Sequence, residues 1–188
     1  MDKHVAHRRP TPEEVKAARD KTLPDVIGKN LRVLFCGINP GLYTAAVGHH
    51  FARPGNRFWP ALHAGGFTPR VFSPYEEREL LPLGLGVTNV VARATAAADE
   101  LTNEELIEGG RTLVAKVGRW RPGVLAVLGV TAYRTAFDKR RAVVGLQSET
   151  MGETAVWVLP NPSGLNAHYL AADLADEFRG LLRFVEVM

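Results

Sequence analysis

Four short apolar runs, each too short for a helix and each stopped by a turn former, constrain the fold of this chain most. They are Leu31–Cys36 before Gly37, the run that closes on Gly86-Val87-Thr88-Asn89, Val124–Leu128 before Gly129, and Ala155–Leu159 before Pro160. Runs of this length with β-branched residues read as buried strands. Helical periodicity falls between or after them at Asn56–Ala64, Thr102–Trp120, Thr131–Phe137 and His168–Val185, and Thr102 with Glu105 makes a capping-box pair at the start of the longest. Strands alternating with helices imply parallel neighbours joined by right-handed crossovers. The predicted fold class is therefore α/β, a three-layer α/β/α arrangement around a central, mainly parallel four-stranded sheet.

The length, 188 residues, suits one domain, read here as residues 23–188, behind a polar N-terminal arm, 1–22, in which Thr11 and Glu14 mark a candidate helix. No apolar run approaches the roughly 18 residues that would span a bilayer, and Met1–Arg9 lacks the apolar stretch of a secretory signal. The expectation is a soluble, cytoplasmic, bacterial-type protein without membrane contact, acting as a monomer. Cys36 is the only cysteine, which excludes an internal disulfide and any site built from several thiolates. His49 and His50 have no further ligand at metal spacing and read as a polar loop, so neither a metal nor a cofactor is expected. A net charge of +3 is compatible with a polyanionic partner without requiring one.

In open parallel sheets, ligands bind beyond the carboxyl ends of the strands. Two loops there stand out: Gly37-Ile38-Asn39-Pro40-Gly41-Leu42 after the first strand and Asn161-Pro162-Ser163-Gly164-Leu165-Asn166 after the last. Alone, each Asn-Pro pair is an ordinary turn. Placed at matching strand ends, both amides come within reach of one pocket. Neither loop has the glycine spacing or the Lys-Ser/Thr of a phosphate-binding loop, which disfavours a nucleotide triphosphatase.

From about Leu31 to Leu182 the chain resembles the mismatch-specific uracil-DNA glycosylases and their thymine-DNA glycosylase relatives, within the uracil-DNA glycosylase superfamily. The resemblance is carried in order by residues 37–42, Gly48-His49-His50-Phe51, Pro54-Gly55-Asn56-Arg57-Phe58-Trp59, Thr88-Asn89-Val90-Val91, Glu108-Gly109-Gly110-Arg111 and Leu159–Leu165. It implies a monofunctional glycosylase that flips uracil, or a related pyrimidine mispaired with guanine, out of double-stranded DNA and hydrolyses its glycosidic bond. By the same resemblance Asn39 positions the attacking water, orienting it rather than acting as a strong base. Gly41 stands where the strictly uracil-specific branch carries a Tyr, which implies a wider pocket admitting 5-substituted uracils, etheno-cytosine or thymine. The resemblance further implies that Phe51 stacks on the flipped base, that Ile38, Tyr43 and Thr44 line the pocket and that Asn161 contacts the base.

Leu165 corresponds to the apolar wedge that replaces the extruded nucleotide, with Gly164 and Asn166 meeting the orphaned guanine. Ser163 and Arg53 are candidate phosphate contacts. Where relatives usually carry an acidic residue before Arg, this chain has Ala92 before Arg93. That departure keeps open a catalytically weak or inactive DNA-damage binder on the same fold. An unrelated nucleotide-binding α/β protein that holds phosphate at a helix N-terminus is the other alternative.

Overall fold

The computed structural model describes residues 8–188. Its centre is a sheet of five strands, β1 (Val33–Gly37), β2 (Leu85–Asn89), β3 (Val124–Leu128), β4 (Gly145–Met151) and β5 (Thr154–Leu159), in the order β2-β1-β3-β5-β4. β2, β1, β3 and β5 are parallel, and β4 runs antiparallel along the edge beside β5. The expected four-stranded sheet thus gains a fifth member. β4 has the sequence Gly-Leu-Gln-Ser-Glu-Thr-Met, and most of its side chains are exposed or half-buried, so it lacks the apolar run that marks a central strand. Such polarity suits a strand with one free edge.

Among the described residues six α-helices accompany the sheet: α1 (Pro12–Lys16), α2 (Leu42–Val47), α3 (Phe58–Ala64), α4 (Asn103–Trp120), α5 (Val130–Phe137) and α6 (Ala171–Val187). α4 is capped by Thr102 and Glu105 as their spacing predicts, and α1 by Thr11 and Glu14. α3 starts two residues later than its periodicity suggested, because Arg57 is its N-cap, and α6 starts three later, at Ala171. α2 and the 3-10 helix Pro74–Leu83 have no counterpart among the predicted elements. Among the described residues, no helix is long and apolar enough to cross a membrane.

Every residue of β1 and β3 is buried, as strands covered on both faces must be. The alternation of side chains along each strand divides the core in two. Val33, Phe35, Val124, Ala126 and Leu128 face α3 and α6, meeting Phe58, Leu62, Leu174 and Phe178. Leu34, Cys36, Leu125 and Val127 face α4 and α5, meeting Leu113, Val117, Tyr133 and Ala136. Burial pushes the Cys36 thiol far above its usual pKa. On the first face Phe35 packs edge-on to Phe58 at 5.6 Å and to Phe67 at 5.4 Å, and stacks on Phe178 at 5.8 Å. Each such aromatic pair contributes about 0.5–1.5 kcal/mol beyond its buried area.

The N-terminal segment is tied to the body. Ala18 is fully buried, Asp20 N–H donates to the Ala94 carbonyl at 3.0 Å, and Ala94 N–H donates to the Lys21 carbonyl at 2.8 Å.

α4 approaches its neighbours through Gly109 and Gly110. A Cβ on Gly109 would stand 2.4 Å from the Val90 carbonyl oxygen, and one on Gly110 would stand 2.5 Å from the Ala136 carbonyl oxygen. A Cβ on Gly118, in the same helix, meets nothing within 4 Å. We expect Gly110→Ala to destabilise the protein by about 1–3 kcal/mol through overpacking, and Gly118→Ala to stabilise it by about 0.5–1 kcal/mol through helix propensity. Urea unfolding of the two variants beside the parent checks both signs.

Candidate active site

The order of the strands creates a switch point: the chain leaves β1 for β2 on one side and later returns to β3 on the other. The crevice above the carboxyl ends of β1 and β3 is therefore the natural site in a sheet of this kind. A cleft of about 360 Å3 lies there, lined by the loop after β1 (Gly37–Gly41), the loop after β5 (Asn161–Ser163), Asn89 at the end of β2 and Leu128 at the end of β3. The two Asn-Pro turns thus meet around one space.

Asn39 is held by its amide nitrogen. Nδ2 donates to the Arg93 carbonyl at 3.1 Å and to Thr95 Oγ1 at 2.7 Å, while the Thr95 hydroxyl donates to the Ala97 carbonyl at 2.7 Å. Two acceptors fix which end of the amide is nitrogen, and among the described residues Oδ1 has no protein donor. The main chain around Asn39 is fixed as well, since Val90 and Val91 donate to the Gly37 and Ile38 carbonyls at 2.9 Å and Thr95 donates to Pro40 at 3.2 Å.

Asn161 is held by the opposite end. Its Oδ1 accepts from Ser163 N–H at 2.9 Å, an Asx turn, and its carbonyl accepts from Asn166 Nδ2 at 3.0 Å. The Nδ2 donors of Asn161 are not used by that turn. One amide therefore keeps an acceptor and the other keeps its donors, which no reading of the two Asn-Pro turns as equivalent would distinguish.

Phe51 lines the cleft and stacks on Phe58 at 4.1 Å with an interplanar angle of 26°. Through Phe58 its ring leans on the fully buried Phe35, so the cleft wall continues the core. The turn that carries it is pinned from below: Glu77, on the 3-10 helix, accepts from His50 N–H at 2.8 Å and meets His49 Nδ1 at 2.9 Å. Trp59 Nε1 donates to the His50 carbonyl at 3.2 Å. Phe51 itself takes φ 55°, the left-handed region that a bulky residue seldom occupies. Gly37 makes room beside it, because a Cβ there would stand 2.5 Å from Asn89 Oδ1 and 3.3 Å from the Phe51 ring.

Ile38, Gly41, Thr44, Arg53, Ser163 and Leu165 also line the cleft, so with Asn39, Phe51 and Asn161 nine of the residues singled out from the sequence share one neighbourhood. Thr44 is buried, and a Cβ on Gly41 would enter open space. Tyr43, Gly164, Asn166 and Ala92 lie outside the lining, although Asn166 braces Asn161. Ala92 is exposed; the carboxylate that does line the cleft is Asp99, on the short 3-10 helix Ala98–Glu100.

His50 corrects the reading of His49-His50 as a polar loop, for it is only 1% exposed and lines the cleft. Its Nε2 lies 3.1 Å from the Pro24 carbonyl and its Nδ1 lies 3.4 Å from Asn89 Nδ2. A carbonyl only accepts, so Nε2 carries the proton; burial lowers the pKa and keeps the ring neutral, which makes Nδ1 the acceptor for Asn89. Asn89 and Thr95 were not singled out as site residues. Asn89 ends an expected strand, the position where ligand-facing residues sit, and that rule would have found it. Thr95 lies in a loop without a motif.

A family model described as the uracil DNA glycosylase superfamily matches residues 24–184. Among solved structures, the chain is similar to a candidate uracil DNA glycosylase from Methanosarcina acetivorans determined by solution NMR. The two share 20% identity over 89% of this chain and 98% of that one, with a TM-score of 0.62. At that identity the likeness is one of fold.

Because folding holds His50 neutral, the unfolded chain takes up a proton below its ordinary pKa of 6.5 that the folded chain refuses until its own lower pKa is reached. Stability is therefore fully present above about pH 6.5 and is lost as the pH falls toward the lowered value. Urea midpoints measured from pH 7.5 to 5 should fall more steeply for the parent than for His50→Asn. Parallel curves would remove the neutral, buried assignment.

Proposed function

The chain belongs to the uracil DNA glycosylase superfamily, whose members hydrolyse N-glycosidic bonds, and on that premise we propose that it removes uracil-type pyrimidines mispaired with guanine from double-stranded DNA. The observation that carries this reading is the shared cleft of Asn39 and Asn161, with Phe51 as one wall. A duplex base cannot enter such a recess, so the nucleotide must rotate out of the stack. Phe51, backed by Phe58, then offers a flat apolar face to the extruded ring.

Asn39 Oδ1, the uncommitted acceptor of a fixed amide, would take a hydrogen bond from a water and aim its oxygen at the anomeric carbon. As the water oxygen bonds to that carbon, the bond to the base nitrogen breaks and its electron pair leaves on the base. The water proton passes to solvent, and the base anion takes one up. Uracil spreads that charge over its two carbonyl oxygens, whereas an amide is too weak a base to expel a poor leaving group. Asn161 Nδ2 and the second N–H of Asn89 are the donors available to the developing anion. No cofactor enters the scheme.

Leu165 lies at the cleft with 74% of its surface exposed, so its apolar side chain is open to a partner. In this reading it enters the gap left in the duplex, with Gly164 and Asn166 beside the orphaned guanine and Arg53 and Ser163 toward the backbone. Tyr43 has no role in the scheme, since it lies outside the lining. Ala92 lies outside it too, so its lack of a carboxylate does not unmake the water site.

Two measurements test the proposal. Single-turnover incubation of the parent with a duplex containing uracil opposite guanine should leave an alkali-labile abasic site. Asn39→Ala should lower that rate by at least about 100-fold while DNA binding stays within about threefold; equal rates, or binding without product in the parent, would leave only a damage-binding protein. Gly41→Tyr, which fills the open space above Gly41, should preserve release of uracil and lower release of 5-substituted uracils and etheno-cytosine about 10-fold or more. Unchanged selectivity would remove Gly41 from the account of pocket width.

A further inference from the structure

Arg57 is the N-cap of α3, and its partners lie more than a hundred residues away in sequence. Its backbone N–H donates to the Pro162 carbonyl at 2.9 Å. Its guanidinium collects three further carbonyls: Nη2 donates to Ser163 at 2.7 Å and Asn166 at 2.8 Å, and Nη1 donates to Tyr169 at 2.5 Å. These carbonyls bracket Leu165 on both sides. Next to them the Gly55 carbonyl presses on Gly164, where a Cβ would stand only 2.5 Å from the oxygen. Residues 55–57 and 162–169 thus meet main chain to main chain.

Two features set this junction apart from an ordinary surface arginine. Among the described residues no carboxylate pairs with the guanidinium, and its Nε is buried without a hydrogen-bond partner. A half-buried cation satisfied by neutral carbonyls alone is a poor source of stability. What it does achieve is shape. Within the loop, Asn166 N–H donates to Ser163, Leu165 N–H to Ser163 Oγ at 3.3 Å and His168 N–H to Asn166 Oδ1 at 3.1 Å, all of them local turns. The Leu165 side chain is exposed, so it adds no packing that would hold the loop. Asn166 Nδ2 donates to the Asn161 carbonyl at 3.0 Å and Tyr169 packs against the core, but the stretch around Leu165 is tied to α3 and the turn before it by Arg57, together with the Gly55–Gly164 approach.

We infer that Arg57 is a positioning residue that holds the Ser163–Tyr169 loop in one shape, so that Leu165 enters the duplex already ordered. This rests on the glycosylase reading above. A loop ordered in advance spares the cost of ordering it on the DNA. Lysine cannot substitute, because one ammonium lacks the planar fork that reaches three carbonyls at once.

The test compares the parent, Arg57→Lys and Arg57→Ala in single-turnover release from uracil opposite guanine, uracil opposite an abasic site, and uracil in a single strand. A 2-aminopurine beside the uracil reports extrusion. Both variants should lose about 10-fold or more on the guanine-paired duplex, with the fluorescence rise falling in the same proportion. Both should stay within about twofold on whichever unpaired substrate the parent cleaves, because no stack has to be opened there. Full activity of Arg57→Lys would show that charge alone matters and would overturn the clamp. So would equal losses on all substrates, an unchanged fluorescence rise, or failure of both variants to fold, each of which assigns Arg57 to the scaffold. A parent that releases no base from any substrate removes the glycosylase reading itself, and this assignment with it.

Discussion

The position of β1 at the middle of the sheet governs everything built above it. Hydrogen-bonded to β2 on one side and β3 on the other, and buried on both faces, it cannot shift register without turning Phe35 and Cys36 into the wrong layers. Its last residue, Gly37, ends the strand with no side chain. That gap is filled at once by Asn89 and Phe51, which come from a neighbouring strand end and from a turn below. The loop holding Asn39 therefore leaves the most constrained point of the molecule, and its hydrogen-bonded partner runs on through Val90, Val91 and Thr95.

This arrangement separates rigid from adaptable parts of the cleft. The floor is an extension of the core: Phe51 rests on Phe58, and Asn39 is tied through Thr95 to Ala97. The rim is exposed, with the charged Arg53 and Asp99 and the apolar Leu165. Groups that must sit within a few tenths of an ångström are placed on strand ends, and groups that meet a variable surface are placed on loops.

Much of this was legible in the sequence. The four parallel strands are visible as apolar runs because burial on both faces demands them, and the strand-end rule led directly to Asn39 and Asn161. β4 was not legible, since an edge strand with polar side chains carries no periodic signal. The 3-10 helix Pro74–Leu83 does carry a local mark, the capping pair of Ser73 with Glu76 and a proline, Pro74, directly after the cap. His50 had none: the carbonyl that holds its ring belongs to Pro24, and the chain must fold before the two meet. The same holds for Arg57, whose meaning lies wholly in carbonyls at the far end of the sequence.

The burial of Cys36 carries a last consequence. The thiol sits under α4 with no solvent exposure, and its high pKa leaves almost no thiolate to react. Oxidants and alkylating agents that lesion DNA act through exposed, electron-rich atoms, and the single sulfhydryl of this protein presents none while the chain is folded. Chemical stress of that kind thus finds no thiol handle on the folded chain.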